Sequence, residues 1–229
     1  MTGSLTGILL GLLVGVRHAF EPDHLTAVST LVTEARDGRR GALLGAIWGL
    51  GHTTSLVVVA MVLLIAGARL PAHVAAAFEL AVAAMLVLLG ARVIALAIRS
   101  PGDEPAPPPL RGLFAHAHPG AASHVHIAGR IVVWRPLVVG LIHGLAGSGA
   151  LTALALAELP STLLRILYIT LFGLGSVAGM AIASGIAGVS LQATARHHKT
   201  RRTLSAATGA VSITAGLLWS IPMVHVLFA

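Results

Sequence analysis

The chain has 229 residues, 56% of them hydrophobic and only 10% charged, with a mean hydropathy of +0.90. Soluble domains carry about 25% charged residues, so the composition excludes a water-soluble globule and suits an all-α membrane bundle of about six helices. Cysteine is absent, which excludes disulfides, thiolate zinc sites, iron–sulfur clusters and c-type haem attachment, and the net charge of +7 sits at the ends of apolar runs, where it reports topology rather than nucleic-acid binding.

Apolar spans are predicted at about 4–33, 41–67, 72–98, 136–158, 161–192 and 204–228. The first and fifth are long for one straight crossing, so breaks or tilt are expected there. The N-terminus has no basic residue before Arg17 and no small-residue cleavage site, so a cleaved leader is not expected.

The first span is interrupted by GVRHAFEPDHLTAV, residues 15–28, which places His18, Glu21, Asp23 and His24 at membrane depth. On an unbroken helix His18, Asp23 and His24 would point to 0°, about 140° and about 240°, three different directions. Pro22 has no N–H for the carbonyl four residues back and its ring clashes there, so the helix should break or kink. Pro22 also suits the first position of a restarted helix, with Glu21 as a possible cap and Asp23 in the favoured first turn. A break would turn both imidazoles toward one cavity, as discontinuous transporter helices do.

The second span carries LGHTTS, with His52 near its middle. Thr53, Thr54 and Ser55 are expected to bond back to their own helix. Between the third and fourth spans, SPGDEPAPPPLRG reads as a proline-rich linker, and His116, His118, His124 and His126 follow as two His-x-His pairs, an auxiliary metal-binding loop. The fourth span carries His143 and then Gly147, Ser148 and Gly149, a second candidate helix break. Glu79 and Glu158 are expected near helix ends, and His73 and His225 near the outer face.

Three short matches recur in order. GVRH at 15–18 aligns with GLIH at 140–143, LTAV at 25–28 with LTAL at 151–154, and GLGHTTS at 49–55 with GLGSVAG at 173–179. They predict a 3+3 repeat: a first three-helix unit over 1–98, a loop over 99–135 and a second unit over 136–229. An odd number of crossings inverts the second copy, and the first and fourth helices would be discontinuous. Glycines at every fourth position, Gly3, Gly7, Gly11 and Gly15, then Gly41, Gly45 and Gly49, suit close helix packing.

Basic residues alternate between loops. Arg36, Arg39 and Arg40, then Arg99, Arg111, Arg130 and Arg135, then Arg196, Lys199, Arg201 and Arg202 fall on one side, against Arg69 and Arg165 on the other. The richer side is cytoplasmic. The chain is therefore expected in the cytoplasmic (inner) membrane with both termini outside and the His-rich loop inside.

Two or three imidazoles with one carboxylate suit nickel, cobalt, zinc, iron or manganese dications and suit copper(I) poorly. RHAFEPDH with the later LGHTTS resembles the two leading signatures of the nickel/cobalt transporter family, and the whole chain resembles its short branch, the urease-accessory-type nickel permeases. The pattern of a histidine, four residues and Asp-His falls on His18, Asp23 and His24, and the Gly-His of the next helix on Gly51 and His52. LIHGLAGSGALTAL resembles the branch's fourth span. Glu21-Pro22 stands where Asp-Ala is common, and the later acidic signatures of the longer permeases are missing. The resemblance implies that His18, Asp23, His24 and His52 recognise and carry the metal, with His143 a further candidate.

The expected function is thus a secondary permease for Ni²⁺ or Co²⁺ as transported substrate, working by uptake. The chain has no phosphate-binding loop and one lysine, Lys199, so neither ATP hydrolysis, an organic cofactor nor an enzyme activity is expected. Cytosolic metal-accepting proteins are candidate partners, alongside the lipid bilayer. Efflux of the same metals fits the sequence as well. A membrane-embedded metal or haem protein is a rival of another class, since paired histidines on adjacent helices can ligate haem. HAFEPDH does not match the H-E-x-x-H of a zinc protease.

Overall fold

The computed structural model describes residues 2–32, 38–66, 70–99, 134–146, 159, 161–194 and 198–228. The elements among them are all helical: α1 (Thr2–His18), α2 (Pro22–Val32), α3 (Gly38–Ala66), α4 (Ala72–Arg99), α5 (Trp134–Gly144), α6 (Thr162–Thr194) and α7 (His198–Phe228). In a hydrocarbon layer each backbone N–H and C=O must be satisfied within its own segment, and helices of apolar side chains do this. Four helices are long and apolar enough to cross a membrane, over Gly38–Leu63, Ala72–Arg99, Thr162–Leu191 and Arg202–Leu227. The chain is a helical membrane bundle.

The first expected span is two helices. At the end of α1, Phe20 N–H donates to the Arg17 carbonyl and Glu21 N–H to the His18 carbonyl, a tightened three-residue turn. The His18 carbonyl, which proline could not have satisfied, thereby keeps a donor, and α2 starts on Pro22. The fifth expected span, for which a break or a tilt was expected, has no break: α6 is a single helix of 33 residues. No proline lies inside it, and its length is taken up without a break. Ser161 caps it by accepting the Leu164 N–H at 3.3 Å.

Of the fourth expected span, residues up to Ala146 are described, and α5 ends at Gly144. Its end repeats that of α1, with Leu145 N–H on the Ile142 carbonyl and Ala146 N–H on the His143 carbonyl. The break expected at Gly147, Ser148 and Gly149 lies outside the described residues, as does the loop bearing His116, His118, His124 and His126.

Helix α3 packs along α6 and α5, α1 along α6, and α4 along α7, while α2 touches α6 and α7. The closest approaches come in matching pairs. A Cβ built on Gly15 would strike the Phe172 carbonyl, and one on Gly140 the Trp48 carbonyl. One on Gly175 would strike the Leu12 carbonyl and the Val16 amide, and one on Gly51 the Leu137 carbonyl and the Leu141 amide. Only glycine lets these helix backbones touch. The buried core runs through Ala19, Ala27, Val28, Trp48, Leu86 and Met180.

Candidate metal centre

Four short stretches of backbone deliver the polar cluster. His18 is the last residue of α1, Asp23 and His24 lie in the first turn of α2, His52 lies at mid-length in α3, and His143 lies at the end of α5. The two helix ends matter because a side chain at a terminus can turn inward where an uninterrupted helix could not carry it. All four histidines are buried, none more than 4% exposed.

The rings form one contiguous group. Centroid separations are 4.3 Å for His18–His24, 4.4 Å for His24–His143, 5.0 Å for His24–His52, 5.2 Å for His18–His52 and 5.9 Å for His52–His143. His24 is the hub, a neighbour of each of the other three. The structure thus brings together all five residues singled out in the first, second and fourth spans.

The hydrogen bonds fix how the rings are oriented. Asp23 uses both oxygens: its Oδ1 accepts from His24 Nδ1 at 3.0 Å and its Oδ2 from His143 Nε2 at 2.9 Å. His18 Nδ1 donates to Glu21 Oε2 at 2.9 Å. With that proton committed, His18 Nε2 is left as a bare acceptor, 3.2 Å from His52 Nε2, which donates. The remaining ring nitrogens, His24 Nε2, His52 Nδ1 and His143 Nδ1, are buried without a hydrogen-bond partner. In this tautomeric arrangement each of the three is a lone pair facing no donor. Buried polar atoms are nearly always paired, so three orphans in one cluster are a feature to be explained.

Two overlapping groups have ligand atoms within 4.8 Å of one another: His18, His24 and His52, and Asp23, His24 and His143. Donor atoms bonded to one cation at about 2.1 Å, at right or tetrahedral angles, stand about 3.0–3.4 Å apart. The His18–His52 and Asp23–His24 separations fall in that range, and Asp23–His143 lies just below it.

Three contributors escape the motif-level reading. Trp48 is wholly buried, 5.6 Å from the His24 ring and 5.6 Å from the His143 ring, with its own Nε1 unpartnered. Phe172 lies 5.4 Å from His18. Trp48 precedes His52 by one helical turn, so its shared face was the available signal. Glu21, expected as a helix cap, instead holds His18. Of the hydroxyls after His52, Thr54 bonds back to the Leu50 carbonyl and Ser55 to the His52 carbonyl, as expected, but Thr53 donates across to the Gly173 carbonyl of α6 at 3.2 Å. Glu79 accepts from Trp219 Nε1 at 2.8 Å, away from the cluster, and His73 and His225 are exposed.

No family model and no solved structure matches the chain. It is similar to the chloroplast proteins FOR GROWTH AND FERTILITY 2 and 1 of Arabidopsis thaliana, at 24% and 27% identity over 78% of this chain, and spans 46% and 48% of their lengths. It is similar nearly end to end to the urease accessory protein UreH of Bacillus sp. (strain TB-90), 29% identical over 219 residues that cover 93% of this chain and 90% of that one.

Proposed function

We propose that this chain is a secondary permease for a divalent transition metal, with nickel its first substrate and cobalt its second, and that His18, Asp23, His24, His52 and His143 hold the ion in transit. The observation that carries this reading is the convergence of four buried imidazoles and one carboxylate from four helices, with three ring nitrogens left unpartnered. Ionisable groups at membrane depth are expensive to keep, and a passing dication is the charge that Asp23 would offset. The donor set of nitrogen with one carboxylate suits borderline dications. The motif resemblance to nickel permeases and the likeness to a urease accessory protein both favour nickel within that group.

The matched glycine contacts and the matched ends of α1 and α5 support an inverted duplication, with the site between the halves. Rocking of one half against the other then gives alternating access. An inside-negative potential of 100 mV favours entry of a dication by about 4–5 kcal/mol, which supports uptake without ATP. The His-rich loop, cytoplasmic by the charge rule, receives ions on that side and hands them to cytosolic acceptors. The haem alternative is disfavoured because rings 4.3 to 5.9 Å apart leave no space for a porphyrin between them.

The test is metal flux into proteoliposomes with nickel, cobalt and zinc in competition. Wild type should carry nickel in preference to zinc. Asp23→Ala, His24→Ala and His18→Ala should each lower flux at least tenfold, the loss expected when a metal-holding group goes. Equal flux in all four proteins would remove the site from the pathway, and outward flux against an imposed inside-negative potential would reverse the direction.

A further inference from the structure

We infer that the cluster is two overlapping three-donor sites that share His24, occupied one at a time, so that the ion passes from one triad to the other by exchanging ligands about His24 on its way through. This rests on the permease reading above and adds to it a division of the site.

The division follows from geometry. One triad, His18, His24 and His52, is all imidazole; the other, Asp23, His24 and His143, includes the carboxylate. His24 lies 4.3 Å from His18 on one side and 4.4 Å from His143 on the other, ring to ring. His52 and His143 are the widest of the paired rings, at 5.9 Å. Five donors cannot all point at one ion while Asp23 keeps both its oxygens on the second triad and Glu21 holds His18 toward His52. Each triad already has a donor pair at the spacing of neighbouring ligands.

The unpartnered nitrogens have a use in this scheme. His52 and His143 each hold a proton on the Nε2 that faces the cluster and a lone pair on Nδ1; His24 holds its proton on Nδ1 and its lone pair on Nε2. Moving each proton to the other nitrogen of the same ring turns the lone pair toward an arriving ion, and no proton leaves the protein. The carboxylate makes the second triad the tighter one, because only there is a unit of the ion's charge offset. A shared ligand also forbids double occupancy, so one ion must move before the next is held.

The test uses the full chain in lipid nanodiscs, with His116, His118, His124 and His126 replaced by alanine so that the loop holds no nickel, and Ni²⁺ alone as probe. Calorimetric titration should give one ion per chain. X-ray absorption at the nickel edge should give two imidazoles in the wild-type site. His52→Gln, which disables only the all-imidazole triad, should bind nickel within about twofold of wild type, because the second triad keeps all three of its donors. His143→Gln should weaken binding at least tenfold and His24→Gln at least as much. Flux should fall at least tenfold in all three, since the path needs both triads. Four imidazoles on the wild-type ion, two ions per chain, or equal loss of affinity in His52→Gln and His24→Gln would overturn the division while leaving the permease reading standing. Wild type that neither binds nor carries nickel would overturn both.

Discussion

Glu21 and Asp23 are two acids two residues apart with different work. Asp23 is bonded to two cluster rings, whereas Glu21 is part-exposed and touches the cluster only through the far nitrogen of His18. Such outer partners fix a ring's tautomer and aim, and their loss typically costs about 10–100-fold in metal affinity. Glu21→Gln should therefore raise the nickel concentration for half-maximal uptake about tenfold with little change in maximal rate, measured as initial rates over a nickel series. Trp48 supplies a second residue-level readout. It sits beside His24 and His143, whereas the other two tryptophans, Trp134 and Trp219, are 61% and 42% exposed. Nickel, a quencher, should dim the intrinsic fluorescence in wild type and in Trp219→Phe. The dimming should vanish in Trp48→Phe, and its persistence there would place the ion elsewhere.

At the scale of elements, the site depends on where helices stop and how closely they approach. Pro22→Ala restores the N–H that could bond the His18 carbonyl and so allows α1 to run on into α2. His18, Asp23 and His24 would then return to three directions, and nickel affinity should drop at least tenfold in a protein that still elutes as a single species. Gly140→Ala tests the approach. Its new methyl meets the Trp48 carbonyl, so α5 must move away from α3, drawing His143 off Asp23 and His24. Overpacking of this kind costs about 1–3 kcal/mol, so the melting temperature in detergent and the nickel affinity should both fall. Gly185→Ala, where the nearest atom would be the Ala42 Cβ at 3.3 Å, should do less. The break at Pro22 was legible because proline acts on its own backbone within four residues. The gathering of His143 onto Asp23 was not, because the two lie 120 residues apart and their meeting is set by glycine contacts between other helices. Phe172 was hidden for a related reason: an aromatic in a greasy helix carries no mark of which distant helix it covers. The length of α6 left break and tilt open, since span length alone says nothing of a break without a residue to cause one.

For the molecule as a whole, the cluster draws His18, Asp23, His24 and His52 from the first half and His143 from the second, so neither half holds it alone. A site between two halves can open to either side in turn, provided the halves face opposite ways across the membrane. The basic residues give that arrangement a direction. Arg39 and Arg40 begin α3, Arg99 ends α4, Arg135 opens α5 and Arg202 opens the crossing part of α7, while Arg165, near the start of α6, bonds the Leu159 carbonyl at 2.9 Å. If each span crosses, the first five lie on one face and Arg165 on the other, and the positive-inside rule predicts the richer face to be cytoplasmic. The natural absence of cysteine makes this directly measurable, because any thiol introduced is the sole one. His73→Cys, exposed at the start of α4, should react with a membrane-impermeant maleimide in intact cells. Thr200→Cys, at the start of α7, should react only after the membrane is opened. The reverse pattern would put both termini inside, turn the His-rich loop outward, and leave that loop to gather ions before passage rather than receive them after it.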